Sequence, residues 1–370
     1  MAGGTRMNGL ALLLQDKGFL LEEWDKDMLT FKKCPLCSIS NYMPKLNELG
    51  YACPVCTQDP LPLQDFLKRI NVSYQIDPTD ISELVEKYMD PLLDPDLVKG
   101  YSTGYSSLDE AVGGFKPQHL IILAADTGMG KSVFGINLLI NATNEGVKTS
   151  YFDLENGKMA SMSRIICIKG CVPTNIFEDA DNVTKIVEIE ESLKGKLNYR
   201  DHEALDAFIG DKKGLQMAKM IGGLIEGDAQ DGVKLFLIDP LENFEEDDKA
   251  YVAIGNVVNY FKDLAQKLNI TIIILHHLKK PTSISANNVS DLQELQVPRY
   301  RIPTIHDLTG SSKIANKAPH VWTMVRQKED SDEKKRGRIL FRILKGRFNQ
   351  NKDLYFNMNL QNLRIAEVKM

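Results

Sequence analysis

No apolar run in this 370-residue chain approaches the ~18 residues that a membrane-spanning helix needs. The stretch Leu10 to Leu14 is short and is followed at once by Gln15, Asp16 and Lys17, so it is no secretory signal. No arginine-rich transit peptide, internal repeat or low-complexity segment is present. An excess of positive charge is also missing. The net charge is −5 and the pI about 5.8, which excludes a uniformly basic nucleic-acid coat but allows a local basic channel. Cysteines number only six, and without a secretory signal they point to metal or packing roles, not disulfides. A cytoplasmic protein, neither secreted nor membrane-bound, is the expectation.

A chain of this length holds about two domains, and its 43% hydrophobic content supports a sizeable core. The most informative segment is Leu120-Ile121-Ile122-Leu123 leading into Ala125-Asp126-Thr127-Gly128-Met129-Gly130-Lys131-Ser132. An apolar strand feeds a small-residue turn ending in Gly-Lys-Ser and opening a helix, the expected context of a phosphate-binding P-loop. Backbone N–H groups of such a turn point at phosphates. Lys131 adds a mobile positive charge and Ser132 a hydroxyl for Mg²⁺. Ala125 replaces the usual first glycine, and Ala is small enough to keep the turn.

From Gly100 onward, strands are predicted at 120–125, 149–154, 235–238, 271–275, 321–326, 338–344 and 354–358, with helices at 131–144, 158–169 and 251–268. Continuous apolar strands separated by helices imply an α/β fold with a mostly parallel sheet covered on both faces. Three further elements fit nucleotide hydrolysis. Asp239 ends the apolar strand Leu235 to Ile238, as a Walker B carboxylate does, and would hold Mg²⁺ through water. Glu155 follows the strand after the P-loop helix, at the sheet edge where ligands sit. It could polarise the attacking water or merely cap a helix. Strand 271–275 ends in His276 and His277, and a His there could bond the γ-phosphate or be structural.

Cys34-Pro-Leu-Cys37 and Cys53-Pro-Val-Cys56, 15 residues apart, have the spacing of two knuckles closing a four-thiolate zinc ribbon. Four thiolates leave no open position, so the metal is expected to be structural. Iron is the alternative. Cys167 and Cys171, four apart on a predicted helix, read as core residues. Three regions are expected: a zinc ribbon over 1–62, a linker over 63–99 and an ATPase domain over 100–370. In the linker, Asp80 and Glu83 form a capping box for a short amphipathic helix that could dock on its own domain or on a neighbouring subunit. Residues 299–350 carry thirteen Lys/Arg against five Asp/Glu, and Asp330–Arg338 reads as a charged loop.

Together these segments resemble the RecA-like motor domain of hexameric replicative helicases, in the phage and Twinkle-type branch, with DnaB a more distant relative. Ser102 to Asp109 with Gly113-Gly114-Phe115 resembles that family's entry into the first strand. Leu154-Glu155 resembles its catalytic glutamate motif, and Leu275-His276-His277-Leu278-Lys279 its phage-type sensor. Asp307-Leu308-Thr309-Gly310-Ser311 resembles its Asp-Leu-Arg-Gly-Ser motif, with Thr309 in place of Arg. Ile343-Leu344-Lys345-Gly346-Arg347-Phe348 resembles its arginine-finger segment.

The resemblance implies ATP or another NTP bound with Mg²⁺ at the interfaces of a hexameric ring of identical subunits. Arg347 would reach a neighbour's site beside Lys345, and Lys279, Lys280, Arg299 and Arg301 would face single-stranded or forked DNA. It also implies the cytoplasm of a bacterial or phage-infected cell, and a linker helix docked on the neighbouring subunit. Residues 57–99 are too few for the primase-like domain of that branch, so a separate primase or polymerase is the expected partner, and the ribbon would bind DNA or a protein. RecA/RadA-type recombination ATPases, some with a four-cysteine element, are the alternative, binding single strands without unwinding. A KaiC-like ATPase acting on proteins is a third reading.

Overall fold

The computed structural model describes residues 10–11, 14–24, 28–40, 43–47, 50–57, 59–71, 100–245, 250–278, 303–308, 314, 317–328, 332–346 and 352–368. The chain divides into two compact units, Met1–Tyr88 and Met89–Met370. No helix among the described residues is long and apolar enough to cross a membrane. The linker helix predicted around Asp80 lies outside the described residues.

In the first unit, β1 (Leu21–Trp24), β2 (Met28–Phe31), β3 (Lys45–Asn47) and β4 (Gly50–Ala52) form an antiparallel sheet in sequence order. Helix α1 (Leu63–Arg69) completes it. Residues beyond 62 thus pack on this sheet. Phe66 of α1 is buried with Leu29, Phe31, Leu46 and Tyr51, and its ring stacks on Tyr51 at 4.1 Å. Leu10, Ala11 and Leu14 are buried in the same cluster, so short strands that could not stand alone are covered by helical residues.

The second unit contains α2 (Ser106–Val112), β5 (Leu120–Ala125), α3 (Lys131–Asn144), β6 (Thr149–Asp153), α4 (Lys158–Gly170) and α5 (Val183–Leu193). Next come β7 (Leu197–Arg200), α6 (His202–Ile209), α7 (Gly214–Gln230), β8 (Leu235–Asp239), α8 (Ala250–Leu268) and β9 (Thr271–His277). The unit ends with β10 (His320–Arg326), α9 (Glu333–Arg336), β11 (Arg338–Lys345), β12 (Lys352–Met358) and β13 (Ile365–Glu367). The nine-stranded sheet has the order β13-β12-β11-β10-β5-β9-β8-β6-β7. The six strands from β10 to β7 are parallel, and β11 to β13 extend the sheet antiparallel.

The central strands are buried along their length, as sheets covered on both faces require. In β5, Ile121, Leu123 and Ala125 face one core with Phe134 and Leu138 of α3. Leu120, Ile122 and Ala124 face the other with Ile221 of α7 and Phe261 of α8. This alternation is the two-residue period of a strand. Helix α3 also carries buried amides. Asn137 donates to Leu363 O at 3.0 Å and accepts the Ile365 N–H, tying the C-terminal strand to the P-loop helix.

The predicted strands and helices of the second unit are all present, with end shifts of one or two residues. The stretch 183–230 holds three helices and a strand that the sequence pattern does not announce. The charged loop Asp330–Arg338 contains the single turn α9. Cys167 is in the core as expected, but Cys171 is exposed at the left-handed end of α4, φ 51°. Thr304 and Asp307 form a capping box ahead of Leu308, whereas Thr309, Gly310 and Ser311 lie outside the described residues.

The edge strand β7 is polar and held by charge. Arg200 grips Asp228 of α7 with two bonds of 2.7 Å, and Asp228 also accepts Ser150 and Asn198. Arg200→Ala leaves a buried carboxylate unpaired and is expected to cost about 2–4 kcal/mol. Lys267→Ala removes only an exposed pair with Glu226 and is expected to cost less than about 1 kcal/mol. Urea unfolding of both variants checks the difference. Equal costs would show that β7 is held by other means.

Candidate functional site

The parallel strands β5, β9, β8 and β6 lie side by side and deliver their C-terminal ends to one edge. Register sets the heights: Ala125 pairs with His277 and Asp153 with Asp239. The P-loop, the histidine pair, the Walker B carboxylate and the Glu155 turn therefore converge where a parallel sheet receives ligands.

Ala125 ends β5, and Asp126 to Gly130 turn the chain into α3. Gly130 occupies the N-cap in the left-handed region, φ 96°, where a side chain would be strained. Lys131 is 6% exposed. Its Nζ donates to Ala125 O at 3.1 Å and lies 2.9 Å from His277 Nδ1. Burial pushes the Lys131 ammonium below its ordinary value, against the pull of Glu242, Asp239, Glu155 and Asp126. A polyphosphate placed there would relieve that cost by supplying counter-charge.

His277 also meets Thr127 Oγ1 at 3.3 Å and Glu155 Oε2 at 3.8 Å. Lys131, Thr127, Glu155 and His277 thus form one cluster. Glu155 does not cap a helix: the N-cap of α4 is Gly157, which makes no side-chain bond. Asp239 is buried, and burial pushes its carboxyl up to about 6, with Asp153 adding repulsion and Ser132 and Lys131 opposing it. The hydrogen-bonded Ser132–Asp239 pair fits Mg²⁺, since a hydroxyl and a carboxylate oxygen are hard ligands.

Several residues here carry no signal in spacing or motif. Asp153 accepts the Asn156 N–H at 2.9 Å and the Ser161 and Tyr199 hydroxyls, shaping the turn that carries Glu155. Arg326, the last residue of β10, and Lys328, just past it, donate to Gly128 O at 2.9 Å and Thr127 O at 3.1 Å and brace the P-loop. Glu242 and Asn243, just past Asp239, bond to β9 and to the Glu155 turn. An acidic residue three places after the Walker B position was the one available hint.

Lys345 lies away from this cluster. It ends β11 opposite Val321 near the start of β10, and its Nζ donates to Ala318 O at 2.8 Å. Arg347, Lys279, Lys280, Arg299 and Arg301 lie outside the described residues.

In the first unit, the sulfurs of Cys34, Cys37, Cys53 and Cys56 all lie within 4.8 Å of one another. The Cys34–Cys56 and Cys37–Cys53 separations are 3.7 and 3.9 Å. A tetrahedron with Zn–S bonds of ~2.3 Å has edges of ~3.8 Å, so the donors fit zinc. Leu36 and Cys37 N–H groups point at Cys34 Sγ at 3.4 and 3.3 Å, as a knuckle turn arranges them. Cys53→Ser is expected to lower bound zinc from one ion per chain to near none by metal analysis. Full zinc content in that variant would sink the assignment.

Residues 100–365 match the family described as DnaB-like helicase C-terminal domain. Among curated relatives, the replicative DNA helicase DnaB of Treponema pallidum is 26% identical over 54% of this chain and 45% of its own. The replicative DNA helicase DnaC of Bacillus subtilis is 25% identical over 50% of this chain and 40% of its own. The chain thus spans less than half the length of these relatives. Among solved structures, one described as an ATPase domain aligns with a TM-score of 0.64 at 18% identity, covering 79% of this chain and all of that one. A DnaB-like replicative helicase, described with its interactions with primase, gives 0.63 at 16% identity, over 83% of this chain and 71% of that one. These likenesses show the RecA-like helicase fold, and the family match covers most of the sequence: the chain belongs to the DnaB-like helicase C-terminal domain family.

Proposed function

We propose that this protein is an ATP-driven replicative DNA helicase, a ring of identical subunits that moves along single-stranded DNA and separates duplex. The observation that carries the proposal is the convergence of Lys131, Glu155, Asp239 and His277 at one sheet edge. Lys131 neutralises charge on the γ-phosphate. Ser132 and Asp239 would hold Mg²⁺, which would supply charge neutralisation. Glu155, on the exposed side of the cluster, accepts the proton of the attacking water. His277 touches both Lys131 and Glu155, so it is placed to register whether the γ-phosphate is present.

The position of Lys345 supports a shared site. Strand β11 runs away from the P-loop edge and ends near the start of β10, so a nucleotide contact by Lys345 falls to a neighbouring copy. Arg347, two residues on, would act there as the finger that stabilises transferring phosphoryl charge. Lys279, Lys280, Arg299 and Arg301 would bind the DNA backbone without sequence preference. The family match favours this reading over the recombinase alternative. The ribbon, with zinc bound, would bind DNA or recruit a primase, as the DnaB-like helicase named above interacts with one. The site of action would be the cytoplasm of a bacterial or phage-infected cell.

Lys131→Ala is expected to reduce ATP hydrolysis at least about hundredfold and to abolish unwinding of a forked duplex. DNA-stimulated hydrolysis without strand separation by the unaltered protein would count against helicase action and favour a strand-binding ATPase. Arg347→Ala and Glu155→Ala proteins are each expected to be inactive, yet mixing them should restore part of the turnover through hybrid interfaces. No recovery on mixing would refute the shared site.

A further inference from the structure

Strand β9 outruns its neighbour β8. Their last paired residues are Ile238 and Ile274, so the end of β9 has no β8 strand beside it, and the His277 N–H on that side needs another acceptor. Glu242 supplies one: its Oε1 accepts the His277 N–H at 2.5 Å and lies 2.6 Å from His276 Nδ1. His276 is fully buried. Next in sequence, Asn243 donates from Nδ2 to Leu154 O at 2.6 Å, the carbonyl directly before Glu155. Both residues sit on the 3₁₀ turn Leu241–Phe244 that follows the Walker B strand. Leu241 and Phe244 are fully buried, and Phe244 packs edge-on against Phe261 of α8 at 5.6 Å. Two apolar side chains thus root the turn in the core while two polar ones reach in opposite directions.

We infer that the Leu241–Phe244 turn is a clamp that fixes the Glu155 turn and the His277 strand end relative to each other, with Glu242 and Asn243 as its positioning residues. Glu242 acts through His277 and Asn243 through Glu155. Charge-assisted bonds such as Glu242 to the His277 N–H are the stronger kind. A side chain held by one core-anchored turn keeps the sub-ångström placement on which a general base depends. Glu155 and His277 meet at 3.8 Å, so releasing either grip lets that contact drift. The inference rests on the hydrolytic role proposed for Glu155.

The test uses Glu242→Ala, Glu242→Gln and Asn243→Ala in the full chain. Asn243 is exposed, so its replacement leaves the core intact. Hydrogen exchange of the nucleotide-free protein, read by mass spectrometry, should show lost protection at 275–278 in Glu242→Ala and at 153–157 in Asn243→Ala. This readout does not depend on activity. In ATP hydrolysis, kcat should fall about tenfold in each Ala variant, with the Kd of a fluorescent ATP analogue within about threefold of the parent. Glu242→Gln, which keeps an acceptor for the His277 N–H, should recover most of the lost kcat. The double Ala variant should lose less than the product of the two single losses, because one clamp is broken twice. Unchanged exchange at both segments, unchanged kcat in Asn243→Ala and Glu242→Ala, or full additivity of the two losses in the double variant overturns the clamp. A parent protein with no ATP hydrolysis refutes the proposed function instead and leaves the exchange result to decide the clamp.

Discussion

The register of four parallel strands is the constraint on which the site depends. Ala125 stands beside His277 and Asp153 beside Asp239, and these pairings are fixed far from any reactive group. They are set by the burial of Ile121, Leu123 and their neighbours on one face and Leu120 and Ile122 on the other. A slip of one residue would turn every core side chain to the wrong face. The cost of such a slip spreads over dozens of apolar contacts, which is why a handful of polar groups at the strand ends can be held in positions they would not choose alone.

Lys131 shows what that rigidity permits. An ammonium buried to this degree is costly unless paired. Its direct partners are one carbonyl and one imidazole nitrogen, with four carboxylates acting from further away. Asp239 is the mirror case, a carboxyl lifted by burial and by Asp153. The two tensions have opposite sign and act on each other. A phosphate chain with its magnesium ion would relieve both at once, which is what the proposed function asks of the site.

Motifs were legible where chemistry and local structure coincide in a short segment. The strand–turn–helix of 120–144, the carboxylate ending β8 and the two C-x-x-C pairs each declare themselves within a few residues. Elements held by distant contacts were not legible. Strand β7 reads Leu-Asn-Tyr-Arg, which has no apolar run, and its place at the sheet edge depends on Asp228, 28 residues on. The packing of residues beyond 62 on the ribbon sheet depends on Phe66 stacking on Tyr51, which no spacing rule encodes. Glu242 stayed hidden for the same reason: its partners are on β9, and only the overrun of β9 past β8 creates the need for it.

The connection between β10 and β11 also shapes the proposed assembly. Strand β10 runs with β5 toward the P-loop edge, and the chain then reverses. Whatever precedes the reversal stays with its own nucleotide site, and Arg326 and Lys328 do so by bonding to Gly128 O and Thr127 O. The end of β11 is carried to the opposite edge, and Lys345 with it. One hairpin thus separates Arg326 and Lys328, which brace the P-loop, from Lys345, which is directed away from it. Under the function proposed above, this chain direction would link hydrolysis to subunit contact.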